Sequence, residues 1–188
     1  MPHIHTANGH HDSTVSFFIV REDFDEPKLI LHTHRKTGRL SMFGGHVELN
    51  ETPWQAALHE ITEETGYLHS QLRILQPPLR IKSLTDAAVH PQPVLHSTGQ
   101  YPVEPVHFHT DIMYALTASE EPELSPEDGE STDIRLFTLA ELKEISQDEI
   151  FEAWREVGIY ILTEIHRNWQ PEVLDSFEAE TVYNGLDD

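Results

Sequence analysis

The chain has 188 residues, of which 38% are hydrophobic, and a formal net charge of -21 at pH 7, values that favour one acidic globular domain. It contains no cysteine, which excludes disulfides, thiolate nucleophiles and cysteine-based zinc sites. Its 12 Lys and Arg against 33 Asp and Glu argue against binding of a nucleic-acid polymer, whose phosphates need clustered cations.

The N-terminal segment, residues 1–12, is polar and rich in histidine, which predicts a flexible arm. It lacks the basic and apolar regions of a secretory signal, and no run of 18 apolar residues follows it. We therefore predict a cytoplasmic protein without a membrane segment. Residues 13–169 are predicted to form a single domain, and residues 170–188 an acidic C-terminal tail.

The domain is predicted to begin with a β-hairpin. Residues 14–20 and 28–32 are rich in β-branched and aromatic side chains, and the residues between them are mostly acidic. Residues 39–43 form a third, shorter extended segment, which ends at Gly44 and Gly45.

A helix is predicted from Pro53 to Thr65. Thr52 occupies the N-cap position, Pro53 the first helical position, and Gln55 the position that completes a capping box. Gly66 is the expected stop at the C-terminal end.

After this helix, strands and loops are predicted to alternate up to a last helix. They are short strands mixed with loop at 68–105, a strand at 106–116, an acidic loop at 120–132, a strand at 134–137, a helical turn at 139–142 and an amphipathic helix at 148–169. This order predicts the α/β class, with a mixed β-sheet flanked by helices.

Three glutamates of the first helix carry the strongest chemical signal. Glu60, Glu63 and Glu64 are spaced i, i+3 and i+4, so they share one stripe of the helix. Like charges held this close raise one another's pKa or bind a cation, and oxygen ligands suit Mg²⁺ or Mn²⁺. Alone, such a stripe is most often a solvated face. Two glycines before the helix and Glu51 at its start favour a binding site, because glycine lets the backbone approach a cation or a phosphate closely.

Residues 45–67 resemble the Nudix box, whose pattern is Gly, five residues, Glu, seven residues, Arg-Glu, an aliphatic residue, any residue, Glu-Glu, any residue, Gly and an aliphatic residue. Every spacing is kept, and the similarity in strand order extends over residues 13–168. Two positions depart from the pattern: His59 stands in place of Arg, and Tyr67 in place of the last aliphatic residue.

The resemblance implies a Nudix-like α/β/α sandwich and a pyrophosphohydrolase that cleaves a nucleoside diphosphate linked to another group. Water would attack a phosphoanhydride with Mg²⁺ or Mn²⁺ as cofactor. The metal ligands that it implies are Glu60, Glu63, Glu64, the carbonyl of Gly45 or Gly44, and a downstream acid, for which we choose Glu130 and hold Asp133 in reserve. The catalytic residues that it implies are Glu60 or Glu63 as general base and Glu51, which would orient the cluster.

His59 leaves an alternative open. The family's Arg supports the glutamates through charge and forked hydrogen bonds, and His supplies neither fully near neutral pH. The chain could therefore be a catalytically weakened Nudix-fold module that binds a nucleotide.

Further residues are candidates for substrate binding. Arg35 and Lys36 could meet distal phosphates, and a surface-loop role fits them equally well. Phe43 could stack on a base, although strand aromatics more often belong to the core. His107 and His109 share one face of a strand, which could contact substrate, pack, or hold Zn²⁺ or Ni²⁺. A His-lined metalloprotein of cupin-like type is thus a third alternative, although such a fold has no use for the glutamate helix. Homodimers are frequent among proteins similar to this one.

Overall fold

The structure is a computed structural model that describes residues 7–101 and 106–177. Its strands form one sheet and are β1 (His11–Arg21), β2 (Lys28–Thr33), β3 (Leu40–Ser41), β4 (Phe43–His46), β5 (Leu72–Gln76), β6 (Leu95–Gln100), β7 (Phe108–Ala118), β8 (Ile134–Phe137) and β9 (Gln170–Val173). The helices are α1 (Pro53–Thr65), α2 (Leu139–Glu144) and α3 (Glu152–Tyr160), which continues through a π-helical turn at Ile161–Ile165 into His166–Asn168.

The sheet is mixed and is built around two long central strands. β1 and β7 run parallel, side by side, along their whole length. The outer edge of β1 is shared by two antiparallel partners, β4 along its first half and β2 along its second. The outer edge of β7 is shared in the same way by β6 and then β5. β2 also pairs antiparallel with β3 and β8, and β5 pairs antiparallel with β9.

Helices cover both faces of this sheet. Successive residues of a strand point to opposite faces, so Phe17 and Phe18 of β1 enter different cores. Phe17 joins the cluster that contains Trp54 of α1. Phe18 joins the cluster that contains Leu142 of α2 and Ile161 of the π-helical turn. The predicted α/β/α sandwich is therefore confirmed.

The first helix begins and ends where the sequence predicts. The side chain of Thr52 accepts a hydrogen bond from the backbone N–H of Gln55, and the side chain of Gln55 accepts one from the backbone N–H of Thr52. Gly66 ends the helix in the left-handed conformation, with φ 73°, which a residue with a Cβ rarely adopts.

The last helix starts later than predicted. The sequence pattern places its start at residue 148, but α3 begins at Glu152. The backbone N–H of Leu40 donates to the carbonyl of Glu149 over 2.7 Å, and Ile150 forms a parallel bridge with Leu40. These residues are thus held by the β3 edge rather than by the helix.

Regular structure extends beyond both predicted bounds of the domain. β1 starts at His11, inside the predicted arm. β9 pairs with β5 inside the predicted tail, and Leu174 and Phe177 beyond it are buried. Phe177 packs edge-on against Trp54, with ring centroids 6.0 Å apart, so this part of the tail belongs to the core. Residues 1–6 of the predicted arm and 178–188 of the predicted tail lie outside the described residues.

Within the described ranges, no helix combines the length and apolar character that a membrane crossing requires.

Candidate functional site

A cavity of about 770 Å³ lies beside the first halves of the two central strands. Its wall comes from β1, β2, β3, β4, β6 and β7, from the glutamate face of α1 and the first turns of α3, and from the loops at residues 34–37 and 129–131. The side chains on it that matter for chemistry are His34, Arg35, Lys36, His46, Glu60, Glu63, Glu64, Tyr101, His109, Asp111 and Glu130. Parts of the chain that are far apart in sequence therefore meet in one space.

Glu64 is held in this wall by the glycine turn. The backbone N–H of Gly44 donates to its Oε2 over 2.7 Å. Gly44 has φ 141°, and a Cβ there would lie 2.1 Å from the carbonyl oxygen of Val15, so only glycine allows this approach. Burial raises the pKa of Glu64 to about 9; the hydrogen bond from Gly44 opposes that rise, and the charge of Glu60 adds to it.

Glu60 lies one helical turn earlier on the same face and is only 4% exposed. Among the described groups, its Oε1 has no hydrogen-bond partner. Burial, and next the charge of Glu63, raise the pKa of Glu60 to about 7. A buried carboxylate oxygen without a donor is costly, and either a proton or a cation would relieve that cost.

Glu63 and Glu130 complete the acidic part of the wall. Both are half-buried, and Glu130 contributes to the raised pKa of Glu60 and of Glu64. Asp133, the alternative choice for the downstream acid, is not among the residues that line this wall. Asp133 is exposed and accepts a hydrogen bond from Thr33 Oγ1 over 2.5 Å.

The loop that carries Glu130 is tied to the end of α1 by its backbone. The N–H of Leu124 donates to the carbonyl of Gly66 over 3.0 Å, and the N–H of Glu127 donates to the carbonyl of Glu63 over 2.8 Å. A Cβ on Gly66 would lie 2.3 Å from the carbonyl oxygen of Leu124. The close approach of loop and helix therefore depends on this glycine.

The carboxylates of the glutamates are spaced more widely than the ligands of a metal site closed by protein groups. Among the described residues, the group of His, Asp and Glu side chains whose ligand atoms all lie within 4.8 Å of one another is Asp12, His107 and His109. No three of the described glutamates meet that distance. Mg²⁺ is commonly held by one or two carboxylates and keeps several waters, so the wider spacing fits Mg²⁺ or Mn²⁺ better than a site closed by protein ligands.

Glu51 and His59 pair outside the cavity. Oε1 of Glu51 accepts a hydrogen bond from the backbone N–H of Glu48 over 2.8 Å, and its Oε2 lies 3.2 Å from Nδ1 of His59. The His59 side chain is 70% exposed. Glu51 therefore braces the turn before α1, and the structure does not bring it into contact with the space where a substrate would lie.

The two cationic side chains expected to meet phosphates do reach the cavity. Arg35 and Lys36 both line it, and Arg35 Nη1 donates to the carbonyl of Gly129. This bond places the guanidinium next to the loop that carries Glu130.

Phe43 and His107 are both buried, although Phe43 is among the residues that border the cavity. Phe43 is 1% exposed and packs face to face with Phe17, with ring centroids 5.8 Å apart, so it is a core residue. His107 is also 1% exposed. His109 does line the cavity, and Tyr101, which the sequence analysis overlooked, stacks on its ring at 4.6 Å.

Asp111 is a second residue that the sequence analysis overlooked. Its Oδ1 accepts hydrogen bonds from Thr14 Oγ1 over 2.8 Å and from Ser16 Oγ over 3.0 Å. Burial raises its pKa, and it lines the cavity wall. The signal was present, since Asp111 continues the two-residue spacing of His107 and His109 along β7.

Tyr67, at the second departure from the box pattern, has polar partners of its own. Its hydroxyl donates to the carbonyl of Glu120 over 2.9 Å and accepts a hydrogen bond from Nη1 of Arg21 over 3.2 Å. Arg21 is 1% exposed and also binds Asp23 and Glu121. Tyr67 therefore fills a place in the core and also binds the buried guanidinium of Arg21.

Residues 10–157 match the NUDIX domain. The structure is similar to a NUDIX-family hydrolase from Clostridium perfringens, with a TM-score of 0.64 and 31% identity, over 80% of this chain and 95% of that chain. Two further neighbours show likeness of fold alone: the C. elegans Ap4A hydrolase in a binary complex (TM-score 0.51, 18% identity, 79% of this chain and 94% of that chain) and the NUDIX domain of Shewanella oneidensis NrtR with ADP-ribose (0.52, 14%, 82% and 86%). No curated protein matches the chain.

Proposed function

This chain belongs to the NUDIX family and is a hydrolase of phosphoanhydride bonds, and we propose that it splits a nucleoside diphosphate linked to another group with the help of a divalent cation. One observation carries the proposal. Glu60 and Glu64 are buried side by side in the wall of a cavity large enough for a nucleotide, where two ionised carboxylates need a compensating positive charge.

The residues present fit Mg²⁺ or Mn²⁺. Oε1 of Glu60 is buried without a donor among the described groups, and Glu63, Glu64 and Glu130 bring further carboxylate oxygens to the same cavity. Glu60 and Glu64 would hold the ion, with Glu130 and the carbonyl of Gly45 as further ligands from the same wall. The bound ion would acidify water and offset the negative charge that develops on phosphate oxygens.

Glu63 is our choice for the general base. It faces the cavity but is less buried than Glu60 or Glu64, so it can pass a proton on to solvent. In the proposed step, the oxygen of water forms a bond to phosphorus while its proton moves to Glu63. The bridging P–O bond breaks, and the second phosphate leaves with the bonding electron pair.

The rest of the cavity indicates how a nucleotide would lie. Arg35 and Lys36 are the Lys and Arg side chains among its described lining residues, so they would take phosphates beyond the reacting bond. Asp111 and His109 offer polar groups on the β7 wall, where a base or sugar could bind. Phe43 and His107 are left out of this proposal because both are buried.

The test is a substrate panel with product analysis in Mg²⁺ or Mn²⁺. ADP-ribose and Ap4A belong in it because two structural neighbours bind or cleave them by name, and nucleoside triphosphates and nucleotide sugars complete it. Glu64→Gln should abolish turnover. Glu127→Gln is the matched control, since this exposed glutamate contributes only its backbone to the site, and it should keep the rate. No turnover of any compound with fresh metal would contradict the proposal.

His59 motivates a second candidate, a nucleotide-binding module with little catalysis. One observation argues against that candidate: His59 is exposed and pairs with Glu51, and it is not among the residues of the cavity wall. Nucleotides that raise the melting temperature without being hydrolysed would support it. In that case His59→Arg, which restores the family residue, should recover turnover, whereas in an active enzyme it should change the rate only a few-fold.

A further inference from the structure

A second group of potential metal ligands lies where the two central strands begin. Ligand atoms of Asp12, His107 and His109 all lie within 4.8 Å of one another. Asp12 and His107 are each 1% exposed, and His109 is half-buried. Two imidazoles and a carboxylate thus meet in a largely water-excluded place.

The parallel strand ladder brings these residues together. In the register of β1 and β7, Asp12 lies directly opposite His109. The backbone N–H of Phe108 donates to the carbonyl of His10 over 2.9 Å, which extends the pairing toward His107. Residues two apart on an extended chain point to the same side, so His107 and His109 face Asp12 together. The arrangement is therefore fixed by backbone pairing and does not depend on side-chain rotamers alone.

A third imidazole approaches from a different strand. His46 ends β4, which pairs with β1 next to Asp12, with Thr14 opposite His46. Its Nε2 lies 3.7 Å from Oδ2 of Asp12, and its ring stands edge-on to His109, with centroids 5.1 Å apart. Four potential ligands thus come from three neighbouring segments of the sheet.

We propose that this group, named the histidine cluster, is a second metal site that takes Zn²⁺ or a similar transition-metal ion and is separate from the glutamate site. Its members are Asp12, His46, His107 and His109. Imidazole nitrogen with one carboxylate oxygen suits Zn²⁺, Co²⁺ and Ni²⁺, whereas Mg²⁺ prefers oxygen alone. Four protein ligands are the number found in closed, structural zinc sites.

The position of the histidine cluster defines what an ion there would do. It would join the start of β1, the end of β4 and the start of β7, and would add a shared ligand to their backbone pairing. Tyr101, which stacks on His109 and lies 4.9 Å from His107 between ring centroids, would cover the site. A bound ion would thus fix the wall of the substrate cavity that carries His109 and Tyr101.

The experiment is metal titration of the untagged full chain, freed of metal by chelation, in excess Mg²⁺ to fill the glutamate site. Added Co²⁺ should bind at about one equivalent and give the strong visible absorption of a four-coordinate, nitrogen-ligated ion. X-ray absorption on the Zn²⁺ form should show imidazole ligands. Zn²⁺ should also raise the melting temperature in the same buffer, because a ligand that binds only the folded state stabilises it.

Variants separate the two sites. His109→Asn and Asp12→Asn should lose the Co²⁺ absorption and the Zn²⁺ stabilisation, whereas Glu64→Gln should keep both. The double variant His3→Ala/His5→Ala should also keep both, which excludes a site made by the N-terminal histidines.

Two results would overturn the proposal. One is a wild-type chain that binds no Co²⁺ or Zn²⁺ once Mg²⁺ is in excess. The other is a Co²⁺ spectrum that survives in His109→Asn and Asp12→Asn but disappears in Glu64→Gln. If either cluster variant fails to fold, X-ray absorption on the wild-type chain still decides, since the glutamate site would give oxygen ligands and no imidazole.

Discussion

The carboxylate of Glu64 accepts a hydrogen bond from the backbone N–H of Gly44 over 2.7 Å. This bond joins the glycine turn in β4, at the residue just before the Nudix box, to the last turn of α1. Because one partner is a backbone group, the fold itself sets the distance between the turn and the helix. The position of the Glu64 carboxylate in the acidic wall is fixed in the same way.

Gly44→Ala should therefore damage both stability and activity. The new Cβ would meet backbone atoms of Val15 and Ser16 at 2.1 and 2.7 Å, and φ of 141° is strained for alanine. We expect a loss of about 2 kcal/mol or more in the free energy of unfolding, measured by urea denaturation. Gly99→Ala is the matched control, since a Cβ there meets nothing within 4 Å. Equal effects of the two substitutions would contradict this account of Gly44.

The metal-free protein should lose stability as the pH rises from 7 to 9. The folded-state pKa of Glu64 is raised from 4.5 to about 9, so over this window the folded state holds a proton that the unfolded state has released. The free energy of unfolding then falls with pH, by at most about 1.4 kcal/mol per pH unit for one proton. His32, whose pKa burial lowers to about 4, acts only below this window.

Thermal melts with a chelator present would measure this slope. Glu64→Gln should flatten it, and Glu127→Gln should leave it unchanged. Mg²⁺ should reduce it in the wild-type chain, because the cation favours the ionised carboxylates. A slope that persists in Glu64→Gln would assign the effect to another group.

Substitutions of Glu60 and of Glu63 should distinguish metal binding from proton transfer. Glu60→Gln removes a proposed ligand, so it should weaken Mn²⁺ binding and turnover together. Glu63→Gln removes the proposed base, so it should retain Mn²⁺ affinity while kcat falls by about 10²–10⁴-fold. Mn²⁺ titration followed by electron paramagnetic resonance, together with steady-state kinetics, would measure both quantities. If Glu63→Gln lost Mn²⁺ as severely as Glu60→Gln, Glu63 would be a ligand instead.

Tyr67→Phe should cost stability but not activity. The substitution removes one hydrogen bond to the carbonyl of Glu120 and one from the buried Arg21, at about 1–3 kcal/mol for groups left without a partner. Denaturation curves and kcat/KM measure the two effects. Tyr160→Phe is the control, because Tyr160 is 48% exposed and should be neutral. A neutral Tyr67→Phe would mean that Arg21 is satisfied by its acidic partners alone.

The sequence predicts the parts of the site that depend on neighbours along the chain. The caps at Thr52 and Gly66 and the shared stripe of Glu60 and Glu64 follow from helix geometry, and the structure agrees with each. Glu130 reaches the same cavity because its loop is attached to α1, which a sequence pattern does not encode. The roles of these residues, the cytoplasmic location and a homodimer stay predictions.

The parts that sequence analysis missed depend on pairing between distant strands. Asp12 meets His109 only through the parallel register of β1 and β7, and no local pattern marks that partner. β9 was overlooked because an acidic segment with a proline has low strand propensity, and it is ordered by pairing with β5 and by burial of Leu174 and Phe177.

The attachment of the acidic loop to α1 also bears on how such a protein can diverge. Leu124 and Glu127 hold the loop through main-chain atoms, which every residue except proline can supply. Mutations can therefore replace the other side chains of the loop while Glu130 keeps its position, provided that Gly66 is retained. Two descendants of one ancestor could thus share this acid in space while their loops retain no recognisable similarity in sequence.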